Sequence, residues 1–199
     1  MNIAIFASGR GSNFQALLKA VKNKTLKAKI VLLVCDNPKA PVLEKARQAR
    51  IKTLLLQRKA FNSTKDFEQE IISHLREEKI DLVALAGFMR ILSPFFIRQY
   101  KNRILNIHPS LLPAFKGAHA IADAFNYGVK VTGVTIHFVD EQVDNGPIIL
   151  QEPVAIKKLD TVETLEIRIH RLEHMLYPKA IQLLNEKKIF LKGRKIRAV

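Results

Sequence analysis

Up to about residue 107 the chain alternates short aliphatic runs with segments whose apolar residues recur at helical spacing. NIAIFA precedes a helical pattern over 13–22, KIVLLVC one over 41–50, KTLLLQ one over 64–79 and DLVALAG one over 94–101; RILNIH closes the series. A strand that is followed each time by a helix pairs with the next strand through a crossover. The pattern therefore predicts an α/β fold with a mostly parallel, doubly wound sheet. Ser63 with Asp66 suits a capping box, and Ser93 with Pro94 suits an N-cap and first helical position. After residue 108 the rhythm changes to a Pro-rich loop, HPSLLPAFKG, a short helix near 119–126 and two β-rich runs, KVTGVTIHFVD and GPIILQEPVAI. The compact turn between those runs predicts an antiparallel C-terminal strand pair. From Thr161 to about Lys187 the apolar spacing predicts one long helix, which Pro178 is expected to kink or split.

A length of 199 residues with 48% hydrophobic content suits a single domain, 1–199, with a βαβ half over 1–107 and a loop-rich half over 108–199. The lone Cys35 lies in an apolar run and reads as a buried small side chain. MNIAIFASGRGSN has no basic stretch before its short apolar run, so it reads as a first strand, and a cytoplasmic chain with no membrane association is expected. Thirty-three Lys and Arg against eighteen Asp and Glu give a formal net charge of +15, which favours anionic partners without choosing among them. The basic residues are not interleaved with aromatic platforms, so no nucleic-acid partner is required.

Three places carry candidate chemistry. Ser8-Gly9-Arg10-Gly11-Ser12-Asn13 stands between a strand and a helix, where free amides and the partial positive charge of a helix N-terminus bind phosphate. Gly11, Ser12 and Asn13 would line such a site; a plain glycine turn with a Ser or Asn cap is the alternative. The sequence is neither a Walker A loop nor a dinucleotide fingerprint. Asn106-Ile107-His108 ends the fifth predicted strand, and a period of two puts Asn106 and His108 on one face at the strand end where ligands bind in open α/β sheets. Asn106 offers an amide donor and His108 a group that titrates near neutral pH, though a lone histidine at a strand end is more often structural than catalytic. Asp144, in VDNGP, is either ordinary turn chemistry or a carboxylate that orients His108 and raises its pKa. His119, His137, His170 and His174 show no metal-ligand spacing, so no metal is expected.

SGRGSN (8–13), AGFMRILSP (86–94), NIHPSLLP (106–113) and GVTIHFVDEQVDNGPII (133–149) together resemble the folate-dependent phosphoribosylglycinamide formyltransferases over nearly the whole chain. The resemblance implies a Rossmann-like formyltransferase fold and formyl transfer from 10-formyltetrahydrofolate to the amine of 5-phosphoribosylglycinamide in de novo purine biosynthesis. It assigns Asn106, His108 and Asp144 as the catalytic trio, Gly11, Ser12 and Asn13 to the acceptor's phosphate, and Glu173 to its glycinamide ribose portion. Thr64, Met89, Arg90, Ile91, Leu92, Asn106, Asp140 and Asp144 are assigned to the folate. The first half then binds phosphate, and the second carries the folate and catalytic loops. The partners implied are small molecules, with the chain a monomer or homodimer. Where many relatives carry an Arg against the folate this chain has Thr64 followed by Lys65, and Lys65 is the expected substitute cation. The rival readings are a formyltetrahydrofolate hydrolase, a methionyl-tRNA formyltransferase-like enzyme and, outside catalysis, a basic phosphate- or RNA-binding module. The enzyme rivals are expected to carry an extra domain, N-terminal in the hydrolase and C-terminal in the tRNA enzyme.

Overall fold

The aliphatic runs become strands β1 (Asn2–Phe6), β2 (Lys29–Cys35), β3 (Lys52–Leu55) and β4 (Leu82–Leu85) in the computed structural model, which describes residues 1–198. They belong to the first of two compact units, Met1–Leu105; the second begins at Asn106. Within the first unit the order is β3-β2-β1-β4, and β1 pairs parallel with both β2 and β4. Ile3, Ala4, Ile5 and Phe6 are fully buried, as expected of a parallel strand whose two faces are both covered. Helices α1 (Ser12–Lys22), α2 (Val42–Gln48), α3 (Thr64–Glu77) and α4 (Pro94–Gln99) make the connections. The Ser63 hydroxyl caps α3 by accepting from the Asp66 N–H at 3.0 Å, and Ser93 caps α4 with Pro94 in the first turn.

The second unit opens on the carboxyl end of β5 (Ile104–His108) and continues through α5 (Ala120–Tyr127), β6 (Val131–Phe138) and β7 (Ile148–Ala155). The order is β5-β6-β7, with β6 and β7 antiparallel from Val131↔Ala155 onward. The helix α6 (Val162–Asn185) packs on both β6 and β7. Thr161 caps it through a reciprocal pair with Thr164.

Of the two outcomes expected at Pro178, a kink or a split, the split does not occur: α6 runs unbroken from Val162 to Asn185. Proline in a helix interior costs roughly 3 kcal/mol by deleting one backbone bond and crowding the preceding turn. Buried residues on both sides of it, Leu165, Ile169, Leu176 and Ile181, each gain about 1.5–3 kcal/mol from burial, so packing outweighs the local penalty. A second antiparallel pair, β8 (Ile189–Lys192) and β9 (Lys195–Ala198), follows α6. No helix among the described residues is long and apolar enough to cross a membrane.

Candidate active site

Alternation along β5 places Asn106 and His108 on one side of the strand, and the 140–146 turn brings Asp144 to them. Asn106 Nδ2 donates to Asp144 Oδ1 at 3.2 Å. His108 Nδ1 lies 3.4 Å from Asp144 Oδ2, and its Nε2 is 2.7 Å from the Phe115 carbonyl. The shorter contact places the imidazole proton on Nε2, so Nδ1 presents a lone pair toward the carboxylate. The Gly117 N–H donates to Asp144 Oδ2 at 2.9 Å. Phe115 and Gly117 reach the trio because the Pro-rich loop is pinned back: the Thr135 hydroxyl donates to the Ser110 carbonyl at 2.7 Å, and Gln151 Nε2 donates to the Leu112 carbonyl at 2.8 Å.

Asp144 raises the pKa of His108, as expected, but burial disfavours the imidazolium more than the Phe115 carbonyl and Asp144 favour it, so the pKa lies below the ordinary 6.5. With only 3% of the residue exposed, lost hydration is the larger effect, and His108 rests neutral at pH 7. Burial also pushes the Asp144 carboxyl upward, but hydrogen bonding, with the Gly117 N–H among the donors, holds it below the ordinary carboxylate value.

His137 is a site residue that the sequence reading passed over. It stands on β6, 2% exposed, with Nδ1 donating to the Phe138 carbonyl at 2.8 Å. Its Nε2 is therefore an acceptor, 3.3 Å from Asn106 Nδ2 and 3.7 Å from Asp144 Oδ1. The available signal was parity: Thr135 and His137 alternate along the strand that neighbours NIH. Among the described residues no group of three or more His, Cys, Asp or Glu side chains is arranged to hold a metal ion.

The glycine-rich turn lies in the first unit. Gly11 occupies the N-cap of α1 with φ +72° and makes no side-chain cap. A Cβ at Gly11 would meet Val42 Cγ2 at 2.5 Å, so both the backbone conformation and the close approach require glycine. The amides of the first turn, at Ser12 and Asn13, thus begin a helix whose N-terminal position carries no capping side chain. Met89 and Ile91 are 71% and 77% exposed in the irregular segment after β4, beside buried Leu92. Phe88 anchors the start of that segment edge-on against Phe6, with ring centroids 5.2 Å apart.

Thr64 is the first residue of α3, and its hydroxyl accepts from Arg58 Nε at 3.2 Å. Lys65 instead places its ammonium over the Phe95 ring, 5.8 Å from the centroid. The guanidinium beside Thr64 therefore comes from Arg58, on a short 3-10 helix that the sequence pattern did not reveal. Asp140 accepts from the Gln142 N–H at 3.0 Å and from Asn145 Nδ2 at 3.2 Å, which shapes the turn before Asp144. From the hairpin β8–β9, Arg194 donates to the Asn145 carbonyl.

Glu173 lies on α6, 4% exposed, with its carboxylate 2.9 Å from His170 Nδ1; His170 Nε2 is 3.0 Å from Glu166. Hydrogen bonding to Glu173 raises the pKa of His170 above 6.5, against the effect of burial. A group with a raised folded-state pKa stabilises the fold below its unfolded pKa and loses that contribution as pH rises through the folded value. Urea unfolding of wild type and His170→Ala across pH is therefore expected to show a stability gap that is largest below pH 6.5 and narrows above it. A gap independent of pH overturns this account.

The sequence profile of the formyl transferase family matches residues 1–181. The chain belongs to the formyl transferase family. It is 48% identical over 181 residues to the phosphoribosylglycinamide formyltransferase of Bacillus subtilis (strain 168), covering 91% of this chain and 93% of that protein. It is 41% identical over 181 residues to the Escherichia coli (strain K12) protein of the same name, covering 91% of this chain and 85% of that one. The structure of glycinamide ribonucleotide transformylase 1 from Symbiobacterium toebii superposes with a TM-score of 0.97 at 41% identity, over all of this chain and 94% of that one. The mostly parallel sheet with flanking helices and a separate antiparallel strand pair is thus a formyl transferase fold.

Proposed function

We propose that this formyl transferase moves the formyl group of 10-formyltetrahydrofolate to the amine of 5-phosphoribosylglycinamide, the formyl step of purine biosynthesis. The observation that carries the reading is the cluster of Asn106, His108 and Asp144 in a chain 48% identical to a protein of that name. The uncapped glycine turn before Ser12 and Asn13 supports assignment of the acceptor's phosphate to the first unit. Two exposed apolar side chains, Met89 and Ile91, beside Arg90 and Leu92 support a flat aromatic donor there. Arg58 beside Thr64 offers a cation to the donor's carboxylates. Glu173, held by His170, is assigned to the glycinamide ribose portion. Asp140 and Asp144 are assigned to the donor as well.

In this reading the neutral amine attacks the formyl carbon and negative charge gathers on the formyl oxygen. The Asn106 N–H that rests on His137 at 3.3 Å is the donor this oxygen takes over. Preorganised donors of this kind are worth about 3 kcal/mol each. The amine's proton passes to His108, neutral at rest beside the Asp144 carboxylate, and the ring then becomes an imidazolium between two oxygen acceptors. As the bond from carbon to the folate nitrogen breaks, the same proton is returned to that nitrogen. His108 starts neutral and becomes charged only during the reaction, which refines the role expected from sequence. The trio requires neither a metal nor a covalent enzyme intermediate.

The deciding experiment follows tetrahydrofolate release by absorbance with and without phosphoribosylglycinamide. Release only with the acceptor is expected. Release without it identifies a hydrolase, and no release under either condition overturns the assignment.

A further inference from the structure

Asp36 has no part in the chemistry above, yet it joins two of the segments assigned to substrates. It directly follows β2, while Ser8 and Gly87–Arg90 follow β1 and β4, the two strands that complete the row β2-β1-β4. Its side chain is 9% exposed, and a carboxylate so far from water needs partners for both oxygens. Oδ1 accepts from the Ser8 hydroxyl at 2.6 Å, and Oδ2 accepts from Arg90 Nε at 2.5 Å. The Ser8 hydroxyl in turn accepts from the Met89 N–H at 3.0 Å, and the Ser8 N–H donates to the Gly87 carbonyl at 3.0 Å. Arg90 is held on its other side by the Phe67 ring, 5.8 Å from its guanidinium carbon. A displacement of the glycine turn therefore carries with it the backbone at 87–90.

From this network we infer that Asp36 is a positioning residue coupling the glycine turn at 8–13 to the segment at 87–92, so that occupation of one tightens binding at the other. The inference rests on the reading of these segments as acceptor-phosphate and folate contacts. Asp36 is not among the residues assigned to either substrate. Its removal should leave chemistry at saturation nearly intact and loosen the connection between the two binding steps.

The test uses tetrahydrofolate and phosphoribosylglycinamide, which form no product together because the formyl group is absent. Tetrahydrofolate affinity is measured by calorimetry with and without saturating phosphoribosylglycinamide, in wild type, Asp36→Ala and the isosteric Asp36→Asn. Allosteric coupling between sites typically spans a factor of about 5 to 150, so wild type should bind tetrahydrofolate at least about 5-fold more tightly with acceptor present. In Asp36→Ala that ratio should fall toward one and the KM for each substrate should rise, with kcat at saturation largely kept. Asp36→Asn retains an acceptor for Ser8 but loses the charge facing Arg90, and should fall between. Wild-type coupling in both variants overturns the proposal. So does a fall in kcat with the ratio unchanged, or a wild type that binds and turns over both substrates without coupling. Failure of wild type to bind either ligand overturns the functional reading as well.

Discussion

Turnover by Asp144→Asn is expected to fall by at least about 100-fold at saturating substrates, with the circular dichroism spectrum unchanged, because one preorganised group at developing charge is worth several kcal/mol. Asparagine keeps the size of the side chain and one acceptor oxygen for Asn106 or the Gly117 N–H. What it removes is the negative charge facing His108 Nδ1 at 3.4 Å. His108 is already reluctant to accept a proton because it is buried, so without that charge the imidazolium has no counterion in a place that cannot hydrate it. His108→Ala should lose a similar factor, and the double variant should be little worse than either single one, since the two residues act as a unit. Near-normal kcat in either single variant, or losses that multiply in the double, would refute the shared role.

Gly146→Ala is expected to lower both stability and turnover. A Cβ at this position would lie 1.7 Å from the Phe138 carbonyl oxygen and 2.7 Å from its carbon. Both are backbone atoms, which cannot rotate aside, so the 138–146 segment must move as a whole. Overpacking of this kind costs about 1–3 kcal/mol, measurable by urea unfolding. Asp144 is two residues away, so the same movement shifts its carboxylate relative to Asn106 and His108. A variant that is destabilised but retains wild-type kcat would show that the turn does not set the aim of Asp144.

The two halves of the chain differ in how much their sequence reveals. In the first, the strands are hydrophobic runs bounded by turn residues, and Ser63 and Ser93 mark their helix starts by side chain; the register of secondary structure is written locally. The hairpin β8–β9 left little local trace, because each strand is only four residues long and Lys192, Lys195 and Arg197 interrupt its apolar positions. Asn106 and His108 were legible as a pair because one strand holds both. Asp144 depended on tertiary placement, and its surroundings as turn chemistry were equally plain. Asp36 and His137 became visible only when neighbouring strands were set side by side, although each stands at a position that the strand pattern marks. The protonation of His108 was beyond local reading altogether, since a neighbouring carboxylate and the loss of hydration push in opposite directions and only the degree of burial decides.

Asp144 has φ +47°, in the left-handed region. For most side chains that conformation costs roughly 1–2 kcal/mol, and only glycine, asparagine and aspartate enter it readily. Backbone geometry therefore favours three residue types at this position, and the proposed chemistry retains one of them. A laboratory evolution experiment that scored only thermal stability would be free to drift position 144 to glycine, and would silence the enzyme while improving the score. The same position in a functional screen would be immovable.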